Sequence, residues 1–328
     1  MDRKTAAPVR IVAVALSFFL SSCALPDLQP FADATAELNT AMQASGDVVT
    51  TALRENEIDG DEQAERFSAA FRARTRAMTA FVSYSDSLAA IAAAGEKGAE
   101  SAGQVADALN GLLTDIGSVV PGLPTISASV VGVISEGYAL IATVRAARSM
   151  KEAVETADPI VQRLAFLIGS DLKDMKEIIA LAAENSVLRI QACLEPFNPA
   201  GCQSIEFLTD LKEAYSARAM ESETELARKA NSGETPGDDL VESARNWRGL
   251  ATEVDTRLAE RKALIAGVQR QTRVRLELLR NTEQGFESWA AIHARLAINL
   301  RDGTQPNARN LIFATNSLRG LIEKVQEL

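Results

Sequence analysis

Few residues in this chain of 328 are suited to acid–base or nucleophilic chemistry. Its one histidine, His293, lies in the stretch SWAAIHARLAINL with Trp289, Leu296 and Leu300 at helical spacing. Histidine is the general base that enzymes use most often. On an apolar helical face, however, a histidine is more often a core residue, and we predict that role for His293.

Other catalytic patterns give little support for an enzyme. Ser170 and Lys173 spell S-x-x-K, but the companion K-T-G of the β-lactamases is missing. The sequence contains no G-x-S-x-G, P-loop, H-E-x-x-H or dinucleotide fingerprint. The acidic stretch EIDGDEQAE (57–65) lacks the spacing of a calcium-binding EF-hand loop and fits an acidic first helical turn better. We therefore predict no catalytic residue, no metal site and no cofactor.

The first 23 residues predict export and lipidation. Three basic residues precede the apolar run IVAVALSFFL (11–20), which is too short to span a membrane and is typical of a signal peptide. The following LSSC (20–23) resembles the lipobox of bacterial lipoproteins. In that family the cysteine carries acyl chains such as palmitate, so the resemblance implies that Cys23 is the site of lipid attachment. The alternative is an ordinary secretory signal with a chance cysteine.

The resemblance also implies a location. Residues 1–22 would be removed and residues 23–30 would form an acylated anchor and short tether. Ala24 after the cysteine, rather than aspartate, implies the outer membrane, facing the periplasm. The whole chain has a net charge of −10, and residues 1–22 carry +2 from three basic residues and one acidic residue, so the mature chain carries about −12. We expect no binding to nucleic acid by charge alone.

The two remaining cysteines predict a disulfide. Cys193 and Cys202 lie in QACLEPFNPAGCQ, across a turn that contains proline and glycine. A close, even pair in an exported protein is most simply a disulfide. A zinc site would need further ligands nearby, and the stretch has neither a histidine nor the CxxC spacing.

Composition predicts an all-α fold. The chain is 47% hydrophobic but only 5% aromatic, and alanine, leucine, glutamate and arginine recur throughout. We predict an elongated antiparallel bundle of long helices with coiled-coil-like packing over residues 31–328, with a possible subdivision near 196–203. Asp158 and Pro159 are typical of a helix start. The predicted helices are 31–56, a second from the end of the acidic link ENEIDGDE (55–62) to about 94, and then 105–120, 158–194, 204–231, 239–282 with an extension towards 300, and 307–328.

One central segment carries no charge over twenty residues, from 116 to 135, with the turn PGLP near its middle. It either lies buried in the bundle, which we favour, or forms a hairpin that enters a bilayer, as in helical pore-forming toxins. The turn argues against a single transmembrane helix. The apolar residues of this candidate membrane hairpin are Val119, Val120, Leu123, Ile126, Val130 and Val131.

A cationic stretch contrasts with the acidic chain. It runs from 261 to 280 and has one acidic residue, Glu277. Its basic residues either bind an anionic partner, such as a protein, lipopolysaccharide or a peptidoglycan peptide, or pair with acidic helices of the same bundle, which the abundance of acidic residues favours. The candidate partner-binding residues are Arg261, Lys262, Arg270, Arg273, Arg275 and Arg280.

Together these features predict a non-enzymatic lipoprotein anchored in the outer membrane. It would act as a scaffold, tether or adaptor for another envelope protein, and homo-oligomers are compatible with the sequence. The alternative is a membrane-acting protein that resembles a pore-forming toxin and inserts residues 116–135. An enzyme is the least supported class.

Overall fold

The computed structural model describes residues 28–56, 60–94, 150–194, 202–302 and residue 323. Over these ranges the protein consists of helices without strands, which confirms the all-α prediction. The helices pack against one another as a bundle. They are α1 (Gln29–Asn56), α2 (Gly60–Ala94), α3 (Met150–Ala192), α4 (Ile205–Asn231) and α5 (Asp238–Asp302).

Several sequence predictions lie outside the described residues. They are the signal peptide (1–22), Cys23 with most of the tether, the uncharged hairpin 116–135 with its six apolar residues, and the helices predicted over 105–120 and 307–328. Of the predicted tether, Leu28 is buried and α1 already begins at Gln29.

The predicted helix start at Asp158 and Pro159 is wrong. Helix α3 begins at Met150 and continues through Pro159. The ring removes one backbone hydrogen bond, but an apolar seam is fully buried on both sides of the proline, at Val154, Ala157, Val161 and Leu164. Burial of this seam offsets the lost bond.

The helices form two compact units. The first unit contains residues 28–44, 69–94, 150–172 and 280–302 of the described chain. The second contains residues 45–56, 60–68, 173–194 and 202–279. Helices α1, α2, α3 and α5 therefore each give a segment to both units, whereas α4 lies wholly in the second.

Aromatic side chains fill the core of the first unit. The Trp289 ring stacks on Phe31, with 5.8 Å between the centroids, and receives the edge of Phe81 at 4.9 Å. All three side chains are at most 2% exposed, and Tyr84 and Phe286 are buried with them. Large aromatic side chains bury the most surface per residue, so few of them are needed to hold these helices together.

In the second unit, α4 and α5 form an antiparallel hairpin. Leu208, Val254 and Leu258 make its core, and Ile205, Leu211 and Tyr215 pack against them. Two ion pairs cross between the helices, Lys212 with Asp255 and Glu223 with Arg248. The Ser204 side chain caps α4 by accepting from Phe207 N. A loop follows α4, between the predicted helices 204–231 and 239–282, with Gly233 at φ +78°.

Gly60 makes a close approach at the turn into α2. A Cβ atom at this position would lie 2.5 Å from the backbone oxygen of Leu53 and 3.1 Å from that of Arg54. Backbone oxygens cannot rotate away as a flexible side chain can. The α1–α2 connection therefore requires glycine at this point.

We predict that Gly60→Ala lowers the free energy of unfolding by about 1–3 kcal/mol, because the added methyl group forces the two helices apart. Chemical denaturation followed by circular dichroism measures this change. The matched control is Gly249→Ala in α5, where a Cβ meets nothing within 4 Å. That change should raise stability by up to about 1 kcal/mol through helix propensity. Equal effects of the two substitutions would contradict the close approach.

Candidate functional site

The structure divides the six cationic candidates on α5 into two groups. Arg261 and Arg275 are half-buried and contact other parts of the second unit. The other four, Lys262, Arg270, Arg273 and Arg280, are exposed. Intramolecular pairing, one of the two alternatives, thus applies to part of the set only.

Arg261 lies against the disulfide. Cys193 and Cys202 are joined as predicted, with 6.1 Å between their Cα atoms. The Arg261 guanidinium lies 3.0 Å from Cys193 Sγ and also contacts Cys202 Sγ. This arginine packs α5 against the connection between α3 and α4.

Cys193 also ends helix α3. Its backbone is left-handed, with φ +58°, and Leu194 N donates to Arg189 O at 2.9 Å. This pattern is the Schellman helix end, in which glycine is the usual residue because a Cβ atom is strained there. The disulfide therefore holds a residue in a conformation that its side chain disfavours.

Arg275 pairs with Glu55 of α1. The Nη1 and Nη2 atoms donate to the two carboxylate oxygens at 3.0 and 3.3 Å. The arginine side chain is 12% exposed and the glutamate 48%. The bidentate geometry fixes the guanidinium at the junction of α1 and α5.

The exposed group in the second unit forms what we call the basic face: Lys262, Arg270 and Arg273. These residues recur at i, i+8 and i+11, with exposed Ala266 and Gln269 between them, so they share one side of α5. The stretch 261–273 contains no acidic residue. Within the described part of the chain the three cations form no ion pair. Arg280 is exposed on the same helix in the first unit.

His293 is the centre of a buried polar network in the first unit. It is 0% exposed, with Nε2 2.7 Å from Tyr84 Oη and Nδ1 2.9 Å from Asp158 Oδ1. An ionised carboxylate only accepts, so Nδ1 carries a proton; in the neutral imidazole Nε2 then accepts from the Tyr84 hydroxyl. Gln162, one turn after Asp158, donates to Ala290 O at 2.8 Å. The network links α2, α3 and α5.

Tyr84, His293 and Asp158 are connected as in a catalytic relay, but the histidine is not accessible from solvent. Burial raises the pKa of Tyr84, so its phenol stays protonated, and the ring is 1% exposed. The hydrogen bond from His293 holds the pKa of Asp158 below its usual value. Both nitrogens of His293 are occupied, and no reactive atom of the histidine reaches solvent. The arrangement fits the core role predicted for His293.

Ser170 takes no part in this network, and its neighbour Asp171 is structural. Asp171 is 2% exposed and pairs with Arg74 of α2, whose Nη2 lies 3.0 Å from Asp171 Oδ1. Sequence periodicity does not predict this pair because its members are 97 residues apart. An aspartate among buried apolar positions of α3 is the only local signal for it.

The described residues offer no other chemical centre. They contain no group of three or more side chains suited to a metal ion. Asp61 and Glu62 of the acidic stretch lie in the first turn of α2, as expected for an acidic helix start. None of the helices in these ranges is both long and apolar enough to cross a membrane.

Comparison of the chain with protein-family models, with curated proteins and with solved structures finds no match.

We predict that loss of the disulfide lowers the free energy of unfolding by about 2–3 kcal/mol, since the bond closes a short loop in the unfolded chain. The test compares Cys193→Ala/Cys202→Ala with the parent protein by denaturant unfolding, after non-reducing peptide mapping. Cys193→Gly/Cys202→Ala is the matched variant and should lose about 1 kcal/mol less, because glycine relieves the left-handed strain. Two free thiols in protein from an oxidising compartment would refute the disulfide.

A second prediction concerns pH. Because the pKa of Asp158 is lowered in the folded protein, its stabilising effect is present at neutral pH. It is lost as the pH falls below the unfolded value of about 4. Asp158→Asn should therefore destabilise the protein by about 1 kcal/mol at pH 7, since the carboxylate is partly exposed, and by less at pH 3. Urea unfolding at both pH values measures the difference. Asp174→Asn, at an exposed position of α3, is the control; a pH-independent loss at Asp158 would contradict the mechanism.

Proposed function

We propose that this protein is an outer-membrane lipoprotein that acts by binding, as a non-enzymatic adaptor for an acidic partner protein in the cell envelope. Cys23 anchors the chain, and the basic face on α5 (Lys262, Arg270, Arg273) receives the partner. The observation that carries the proposal is that three exposed cations share this face and form no ion pair within the described residues, on a chain that is otherwise acidic.

The charge distribution favours a protein partner over a phosphate-rich surface. The mature chain carries about −12, so a uniformly anionic membrane would repel most of it. An acidic patch on a second protein can approach the basic face alone. Three exposed ion pairs of about 0.2–1 kcal/mol each supply orientation and association rate more than affinity. Apolar contacts around the face would have to supply the rest.

The long helix suits such a role. Residues Asp238–Asp302 form one continuous helix, and its hairpin with α4 has its own small core. A helix held by a partner helix presents its outer side chains at fixed spacing, which lowers the entropy lost on binding. A helix that is held rigid in this way suits the binding of a partner protein rather than catalytic turnover.

We predict that a photo-cross-linking amino acid at Ala266, in the middle of the basic face, yields a discrete adduct with another protein. The experiment uses cells that make the full chain. Adduct formation should fall as ionic strength rises, because exposed charges are screened. Lys262→Glu/Arg270→Glu/Arg273→Glu should abolish the adduct, and Arg280→Glu should leave it unchanged.

The control site is Ala217, an exposed residue of α4. An adduct of twice the chain mass would show that the basic face binds a second copy of this chain instead of an acidic partner protein. No adduct, or one that survives the triple substitution, would refute the basic face as a docking surface. The same cells test the anchor, since the protein should leave the outer-membrane fraction in the Cys23→Ser variant.

A further inference from the structure

The second unit contains a cavity that the proposed adaptor function does not use. It measures about 290 Å³ and is open on one side. Three helices form its walls. Apolar atoms come from Ala52 of α1, from Ile179, Ala182 and Ala183 of α3, and from Val268 of α5.

Polar groups that could hold a ligand line the same cavity. Ser186 is 5% exposed, and its hydroxyl has no hydrogen-bond partner in the described part of the chain. The half-buried Gln271 carboxamide is likewise without a partner there. Because the cavity is open, the Ser186 hydroxyl is accessible to water or to a ligand.

The ion pair of Arg275 and Glu55 also lines the cavity. The guanidinium uses Nη1 and Nη2 for Glu55, which leaves its Nε–H edge for a second acceptor. The carboxylate of Glu55 is half-exposed and has spare lone pairs for a donor. A cation and an anion thus lie side by side next to an apolar wall.

The pair is electrically neutral, and this decides the charge of the ligand. An ion of one sign would be attracted to one member of the pair and repelled by the other. A zwitterion would be attracted to both, since its carboxylate faces Arg275 and its ammonium group faces Glu55.

We propose that this cavity binds a small zwitterion of the amino-acid type, an aliphatic amino acid or a dipeptide of small residues. Its aliphatic groups contact the alanine wall, and Ser186 and Gln271 bind its remaining polar atoms. The volume equals that of about ten water molecules in the liquid. A dipeptide of alanine is of this size.

The test is calorimetric titration of the full chain, purified in detergent, with alanyl-alanine. We expect saturable binding, and the same peptide blocked at both ends should bind at least about tenfold more weakly, since it has lost both charges. Arg275→Gln should reduce affinity by a similar factor. Arg273→Gln, which removes the same charge from an exposed position of α5, should leave affinity unchanged.

Ala183→Leu keeps the result interpretable should Arg275→Gln unfold the protein. It fills the cavity without changing a charge and should abolish binding while circular dichroism and thermal unfolding stay native. Absence of heat with alanyl-alanine at about 10 mM, where a millimolar ligand saturates, would overturn the proposal. So would equal binding of the blocked peptide, or equal losses for Arg273→Gln and Arg275→Gln. The further proposal does not rest on the adaptor function, because Ala183→Leu leaves the basic face intact. The cross-linking test of the adaptor and the titration test of the cavity can therefore give opposite results.

Discussion

Three helices of the first unit meet at the hydroxyl group of Thr35. This residue is 0% exposed; it donates to Phe31 O at 2.8 Å and accepts from Ser85 Oγ at 2.9 Å and from Trp289 Nε1 at 2.8 Å. A buried indole N–H without an acceptor would cost about 1–3 kcal/mol. One side chain of α1 thereby fixes where α2 and α5 lie, and the aromatic core around Trp289 packs in the space that remains.

The position of Trp289 determines that of His293. The histidine lies one turn further along α5, next to Tyr84, which directly precedes Ser85 in α2. Asp158 and Gln162, one turn apart in α3, complete the arrangement. The Asp158 carboxylate accepts from Gln162 of its own helix and from His293, so it joins α3 to α5 directly before Pro159.

Local signals in the sequence were sufficient for part of this structure. The Ser204 cap, the loop with Gly233 and the Cys193–Cys202 disulfide each follow from a few neighbouring residues. The pairs Arg74–Asp171 and Tyr84–His293 join residues 97 and 209 positions apart, and single-sequence periodicity contains no information on such partners. For the same reason, the sequence alone does not distinguish the six cationic residues of α5 from one another. Only the packing of α1 and the disulfide separates Arg275 and Arg261 from the exposed residues.

In this protein, polar groups with a structural role differ from candidate binding groups in how much of their hydrogen-bonding capacity is already used. Both ring nitrogens of His293 have partners and the ring is fully buried, so its hydrogen-bonding capacity is used within the protein. In the second unit the opposite holds. The cations of the basic face are exposed, and the Ser186 hydroxyl, which has no partner among the described residues, lines an open cavity. The second unit therefore retains hydrogen-bonding capacity of the kind that the His293 network has already used within the protein.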